Sequence, residues 1–240
     1  HENHENEMST PRSCPQIPPR QDRRGFLGVF ALSGFLLSLS LFGLLCGPLD
    51  GFIPQSVSIA CLIIGVVGFI TAEGLSRPPH NDPHEFVKRE VRQGKRDEDE
   101  KVLVCVGDSL THGTCSANWV DTIVPALGKR QQFSLKAVNA GQNGICTHTI
   151  LHERVDHVVS CRPDHVFVLI GSNDAMAIYR EDWLKDKLRM WNLPEIPSED
   201  VLARNLIGIV ERFLDETTAE IAVGTLPPFG EDADSAANRL

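Results

Sequence analysis

The chain lacks any surplus of basic charge: 32 Asp and Glu stand against 23 Lys and Arg, a formal net charge of −9 over 240 residues. A general nucleic-acid binder needs a basic face to meet phosphates, so that class is excluded. None of the seven cysteines belongs to a CxxC pair, which leaves no disulfide framework to read. Two lie in apolar runs and Cys105 in an apolar strand, the pattern of free, mostly buried thiols in a reducing compartment. There is no HExxH either. His152-Glu153 is followed by a histidine at i+5, His157, and on a helix that extra residue turns the second imidazole about 100° away. Neither a metal nor a cofactor is expected. No serine sits in GxSxG, which argues against the nucleophile elbow of the α/β-hydrolases, and no internal repeat is present.

Charge is missing altogether from two stretches. Gly25 to Leu49 is uncharged and rich in Leu and Phe, long enough to cross a bilayer core as a helix of about 20 residues. Gly51 to Ala72 is also uncharged, although its apolar part begins only near Val57. The Gly, Pro and Asp residues of 47–54 suit a tight turn, so residues 25–76 are predicted as a transmembrane helical hairpin. A signal peptide is the competing reading of the first run, which is longer than a secretory h-region and continues into a second. Arg12, Arg20, Arg23 and Arg24 precede the hairpin, and Arg77, Lys88, Arg89, Arg92, Lys95 and Arg96 follow it. Positive flanks on both sides predict a membrane protein with both ends in the cytoplasm. Residues 1–24 are expected to be disordered. Residues 77–100, opening with Arg77-Pro-Pro and closing in a charge run, are expected to be a linker that holds a short charged helix over Glu85 to Gln93.

Residues 101–240 alternate strand and helix in the manner of a parallel α/β sheet. Val102 to Val106 is an apolar run without polar alternation, as in a strand buried on both faces. It ends in Gly107-Asp108-Ser109, where glycine allows a sharp turn and the short polar residues suit a helix cap. Ligands bind outside the carboxyl ends of strands in open α/β sheets, so Ser109 is a candidate nucleophile as well as a candidate cap. A second strand runs from Lys136 into Asn139-Ala-Gly-Gln-Asn-Gly144, and a third, Val166 to Ile170, ends in Gly171-Ser-Asn-Asp174. Helices are predicted over Ala117 to Arg130, Ile145 to Ser160 and Ser198 to Glu216, with a fourth strand from Ala219 to Thr225. In the last helix Val201, Leu202, Leu206, Ile207, Val210 and Leu214 recur at helical spacing and read as core. Tyr179 to Trp191 reads as packing, with a substrate wall as the alternative.

The three strand ends together resemble the SGNH family of GDSL-type esterases and lipases. The resemblance rests on Gly107-Asp108-Ser109-Leu110 with Thr111 and Gly113, on Asn139 to Gly144, and on Gly171 to Asp174, and it covers about residues 101–240. It implies a flavodoxin-like three-layer parallel sheet, with Ser109 as nucleophile. It also implies an oxyanion hole made by the Ser109 N–H, the Gly144 N–H and the Asn173 side-chain amide, with Asp108 and Asp174 in supporting roles. The implied substrate is a small-molecule, lipid or glycan ester. The family's last block is DxxH, and no Asp here is followed three residues later by His. The α/β domain is therefore expected to be incomplete at its C-terminal end, with the general base and its Asp beyond residue 240. His112, His148, His152 and His157 are weaker candidates for the base. Two alternatives stay open: a non-catalytic ligand-binding or scaffold module at the membrane, and an acyltransferase of the same fold.

Overall fold

The computed structural model describes residues 27–45, 55–94, 96–97, 99–114, 117–128 and 134–228. The expected disordered segment, the turn at 47–54 and the arginines before it lie outside them.

The two uncharged runs form α1 (Leu27–Leu45) and α2 (Gln55–Ser76). They pack on each other, with Phe30 edge-on to Phe69 at 5.4 Å between ring centroids and Ser33 buried against the bare face of Gly68. One helix among the described residues, Ser56–Ser76, is long and apolar enough to cross a membrane, at a mean hydropathy of 2.1. Val29–Leu41 is a shorter apolar helix. Among the described residues the second run, which enters its apolar part late, meets the length requirement.

Residues 77–82 lead from α2 into α3 (Pro83–Gln93), which Asp82 caps by accepting the Glu85 N–H. Although α3 falls in the expected linker, its Phe86 and Val87 are buried in the core of the α/β domain. These two neighbours on a mostly polar helix find the sheet layer, while Val91 stays exposed.

The sheet has the order β2-β1-β3-β4, all parallel. Its strands are β1 (Glu100–Gly107), β2 (Ser134–Gly141), β3 (His165–Leu169) and β4 (Glu220–Val223). Between them run α4 (Ser109–His112) and α5 (Trp119–Gly128), then α6 (Thr147–Thr149) and α7 (Val155–Ser160), then α8 (Ser172–Tyr179), α9 (Glu181–Trp191) and α10 (Glu199–Glu216). A π-helical turn over Ile150–Arg154 joins α6 to α7, so the helix expected from Ile145 to Ser160 is real, starts at Thr147 and is underwound once. The core is mainly aliphatic, with Val102, Val104 and Val106 of β1 and Val166 and Val168 of β3 in one cluster with Ile150, Val155, Ile209 and the aromatic Phe213 from the helices.

One expectation needs correction. Helix α10 buries Val201, Asn205, Ile209 and Phe213, while Ile207 and Leu214 are exposed. The buried line therefore follows i, i+4 through a polar residue. Asn205 is tolerated there because its amide lies 3.3 Å from the Thr147 hydroxyl, which supplies the partner a buried polar group needs.

Candidate functional site

Strand β1 delivers Gly107, Asp108 and Ser109 to the carboxyl edge of the sheet. The first turn of α4 folds back so closely that a Cβ on Gly107 would lie 2.2 Å from Thr111 Oγ1 and 2.5 Å from the Leu169 carbonyl oxygen. Only glycine fits between this turn and β3. Asp108 is the N-cap of α4 and accepts the Leu110 N–H at 2.9 Å. Burial raises its pKa above the usual carboxylate range, partly offset by the Leu110 amide, the Ser172 hydroxyl and the charge of Lys187. Ser109 follows as the first residue of the helix, half-buried. Its N–H is one of those that helix geometry leaves without an intrahelical partner.

The β2 end is tied to the β1 end by the Gln142 N–H, which donates to the Gly107 carbonyl at 2.9 Å. Asn139 is fully buried and holds the two turns together: its amide donates to the Thr111 carbonyl and Asn118 Oδ1, and its oxygen accepts the Gly141 N–H. Gly144 occupies the left-handed region at φ 72°, which a residue with a side chain enters only under strain. Its carbonyl accepts from Lys187 Nζ at 3.1 Å and from Trp191 Nε1 at 2.7 Å. The turn closes through the Ile145 N–H to the Gln142 carbonyl, a bond that does not use the Gly144 N–H.

The β3 end completes the group. Asn173 is buried in the first turn of α8 and donates one amide hydrogen to the Ile145 carbonyl at 3.0 Å. An asparagine amide has two such hydrogens. Asp174 accepts both the N–H and the hydroxyl of Thr147, fixing the start of α6, and burial raises its pKa despite those bonds. The structure thus brings Ser109, Gly144 and Asn173 onto three mutually bonded loops at one sheet edge, with Asp108 and Asp174 as their internal ties.

The histidines weighed from the sequence are engaged elsewhere. His112 Nε2 lies 3.0 Å from the Arg77 carbonyl and its Nδ1 meets the Thr114 hydroxyl, so both ring nitrogens are occupied. His148 and His152 lie against each other with their rings tilted, 4.4 Å between centroids. His157 is pushed down to about 4 by burial and by the neighbouring Arg154 charge. Cys105, Cys146 and Cys161 are buried free thiols. Burial raises all three, Cys105 to about 12, which makes them poor nucleophiles.

Sequence reasoning missed Lys187 and the polar use of Trp191. The signal was present: Lys187 lies four residues after Trp183 and four before Trp191, on one helical face.

Residues 105–240 match the GDSL-like lipase/acylhydrolase family. The chain belongs to that family. No curated protein matches it. Similar solved structures include a catalytic mutant of Axe2, an acetylxylan esterase from Geobacillus stearothermophilus, at 20% identity and a TM-score of 0.48 over 58% of this chain and 65% of that one. AlinE4, an SGNH-hydrolase family esterase, is 22% identical with a TM-score of 0.41 over 56% of this chain and 64% of that one. The chain therefore spans just under two thirds of the length of these esterases.

Proposed function

We propose that the protein is a membrane-anchored serine ester hydrolase. The Ser109 hydroxyl attacks the carbonyl carbon of an ester, and the oxyanion of the tetrahedral intermediate is received by the Ser109 N–H, the Gly144 N–H and the second amide hydrogen of Asn173. Donors placed before reaction cost no reorganisation as charge develops, and each is worth roughly 3 kcal/mol. The observation that carries the reading is the Asn173 bond to the Ile145 carbonyl. One hydrogen of the amide holds the loop bearing Gly144 while the other is left to a substrate. Family membership supports ester chemistry, and the acetylxylan esterase named above makes a glycan or small-molecule ester a reasonable substrate class.

The nucleophile also needs a base. The chain holds no DxxH, and His112 is fully engaged, so the reading assigns Ser109 as one half of a catalytic pair and leaves the base unassigned among the described residues. In this reading α2 is the anchor, and the basic residues from Arg77 to Arg96 keep the domain on the cytoplasmic side. The buried free thiols of the domain suit that reducing compartment.

The test is hydrolysis of p-nitrophenyl acetate by the complete protein in detergent or liposomes. Ser109→Ala should lower kcat by about a thousandfold or more with the melting temperature held within a few degrees. Turnover that survives the substitution would remove Ser109 from the reaction.

A further inference from the structure

Among the described residues no other lysine or arginine is as deeply buried as Lys187, which keeps 6% of its surface. Burying an ammonium costs several kcal/mol unless its surroundings compensate, yet no carboxylate among the described residues forms a salt bridge with it. Its Nζ instead donates to the Gly144 carbonyl at 3.1 Å and lies 5.0 Å from the centre of the Trp183 ring. Burial pulls its pKa down, while Cys146, Asp186, Asp108 and Asp174 pull it up. A side chain meant only to fill space at this position would be apolar.

We infer that Lys187 is a positioning residue for the oxyanion donor at Gly144. The inference rests on the nucleophile reading above. The Gly144 carbonyl receives two donors from α9, Lys187 Nζ and Trp191 Nε1, and the next carbonyl, that of Ile145, receives Asn173. Both peptide planes after Gly144 are therefore held from outside the turn. The Gly144 N–H belongs to the preceding peptide plane, so these bonds act on it from across the Cα: they anchor the plane against which the φ of 72° sets the N–H, at the most permissive residue type. The Lys187 ammonium also adds positive charge on the same residue in a setting where charge is weakly screened. A Cβ at Gly144 would meet Lys187 Nζ at 3.1 Å, which shows how closely the ammonium is seated on the turn.

The experiment compares steady-state hydrolysis of p-nitrophenyl acetate by the complete protein and by Lys187→Met, which keeps the length of the stem and removes charge and donors. The expected result is a fall in kcat of roughly 10- to 100-fold with KM within about twofold. Trp191→Phe removes the companion N–H together with part of a buried ring, whose loss is read separately in the melting temperature, and should lower kcat about threefold at unchanged KM. Lys187→Arg, which keeps charge and donors, should recover part of the loss. Unchanged kcat in Lys187→Met, or a change confined to KM and melting temperature, would overturn the inference. Should Lys187→Met fail to fold, Trp191→Phe decides: the threefold fall supports the inference and unchanged kcat overturns it. Turnover insensitive to Ser109→Ala is a separate failure, that of the nucleophile reading, and takes this inference with it.

Discussion

The turn after β1 and the turn after β2 reach the same sheet edge by opposite means. The first is shaped from within and directly beneath: Asp108 caps its own helix, and Gly107 admits Thr111 against the neighbouring strand. The second is shaped from afar, by Lys187 and Trp191 more than 40 residues later and by Asn173. On the proposed reading, the nucleophile on the first turn would inherit the rigidity of the sheet and the oxyanion donor on the second would depend on the docking of α9, so the two halves of the site should fail in different ways.

That contrast can be broken most severely at Gly107. Gly107→Ala forces a Cβ to within 2.5 Å of a backbone oxygen, and the expected outcome is a loss of about 3 to 5 kcal/mol in unfolding free energy, read by urea denaturation. Gly144→Ala should act on the reaction instead. Its Cβ meets only side chains, but φ 72° is strained for alanine, so kcat should fall about a hundredfold with about 1 kcal/mol lost in stability. If both glycines behaved alike, the distinction between the two turns would be gone.

A smaller effect comes from below the site. His157 titrates near 4 in the fold because burial and Arg154 disfavour its charge, with Asp156 opposing and His84 adding to the repulsion. The unfolded imidazole titrates near 6.5, so the unfolded chain binds the extra proton more readily. Stability is therefore complete above about pH 6.5 and is lost as pH falls towards 4, by about 1 to 2 kcal/mol once solvent screening is allowed for. Chemical denaturation across that range should show the slope in the wild type and a flatter line in His157→Gln.

Legibility in the sequence followed the same division. The strands from Val102 and Val166 and the polar turns that end them announce themselves, because an apolar run followed by glycine is a local signal. Lys187 does not, since a lysine on a helix with charged neighbours reads as solvated until the packing of α9 on Gly144 is known. The helix over Glu85 to Gln93 was legible but its place in the core was not: Phe86 and Val87 stand among charged residues, yet they enter the core while Val91 is exposed. In α10 the apolar residues suggested one face, and the bond from Asn205 to Thr147 selected another.

The junction between α2 and α3 has a consequence of scale. Residues 77–82 are the whole passage between the two helices, at most about 20 Å when extended, and the Arg77 carbonyl is already spent on His112 beside the nucleophile turn. On the membrane-anchored reading proposed above, the edge that bears Ser109 would be confined to a surface, and an ester arriving by lateral diffusion within the leaflet would meet it far more often than the same ester dissolved at equal amount in the surrounding volume.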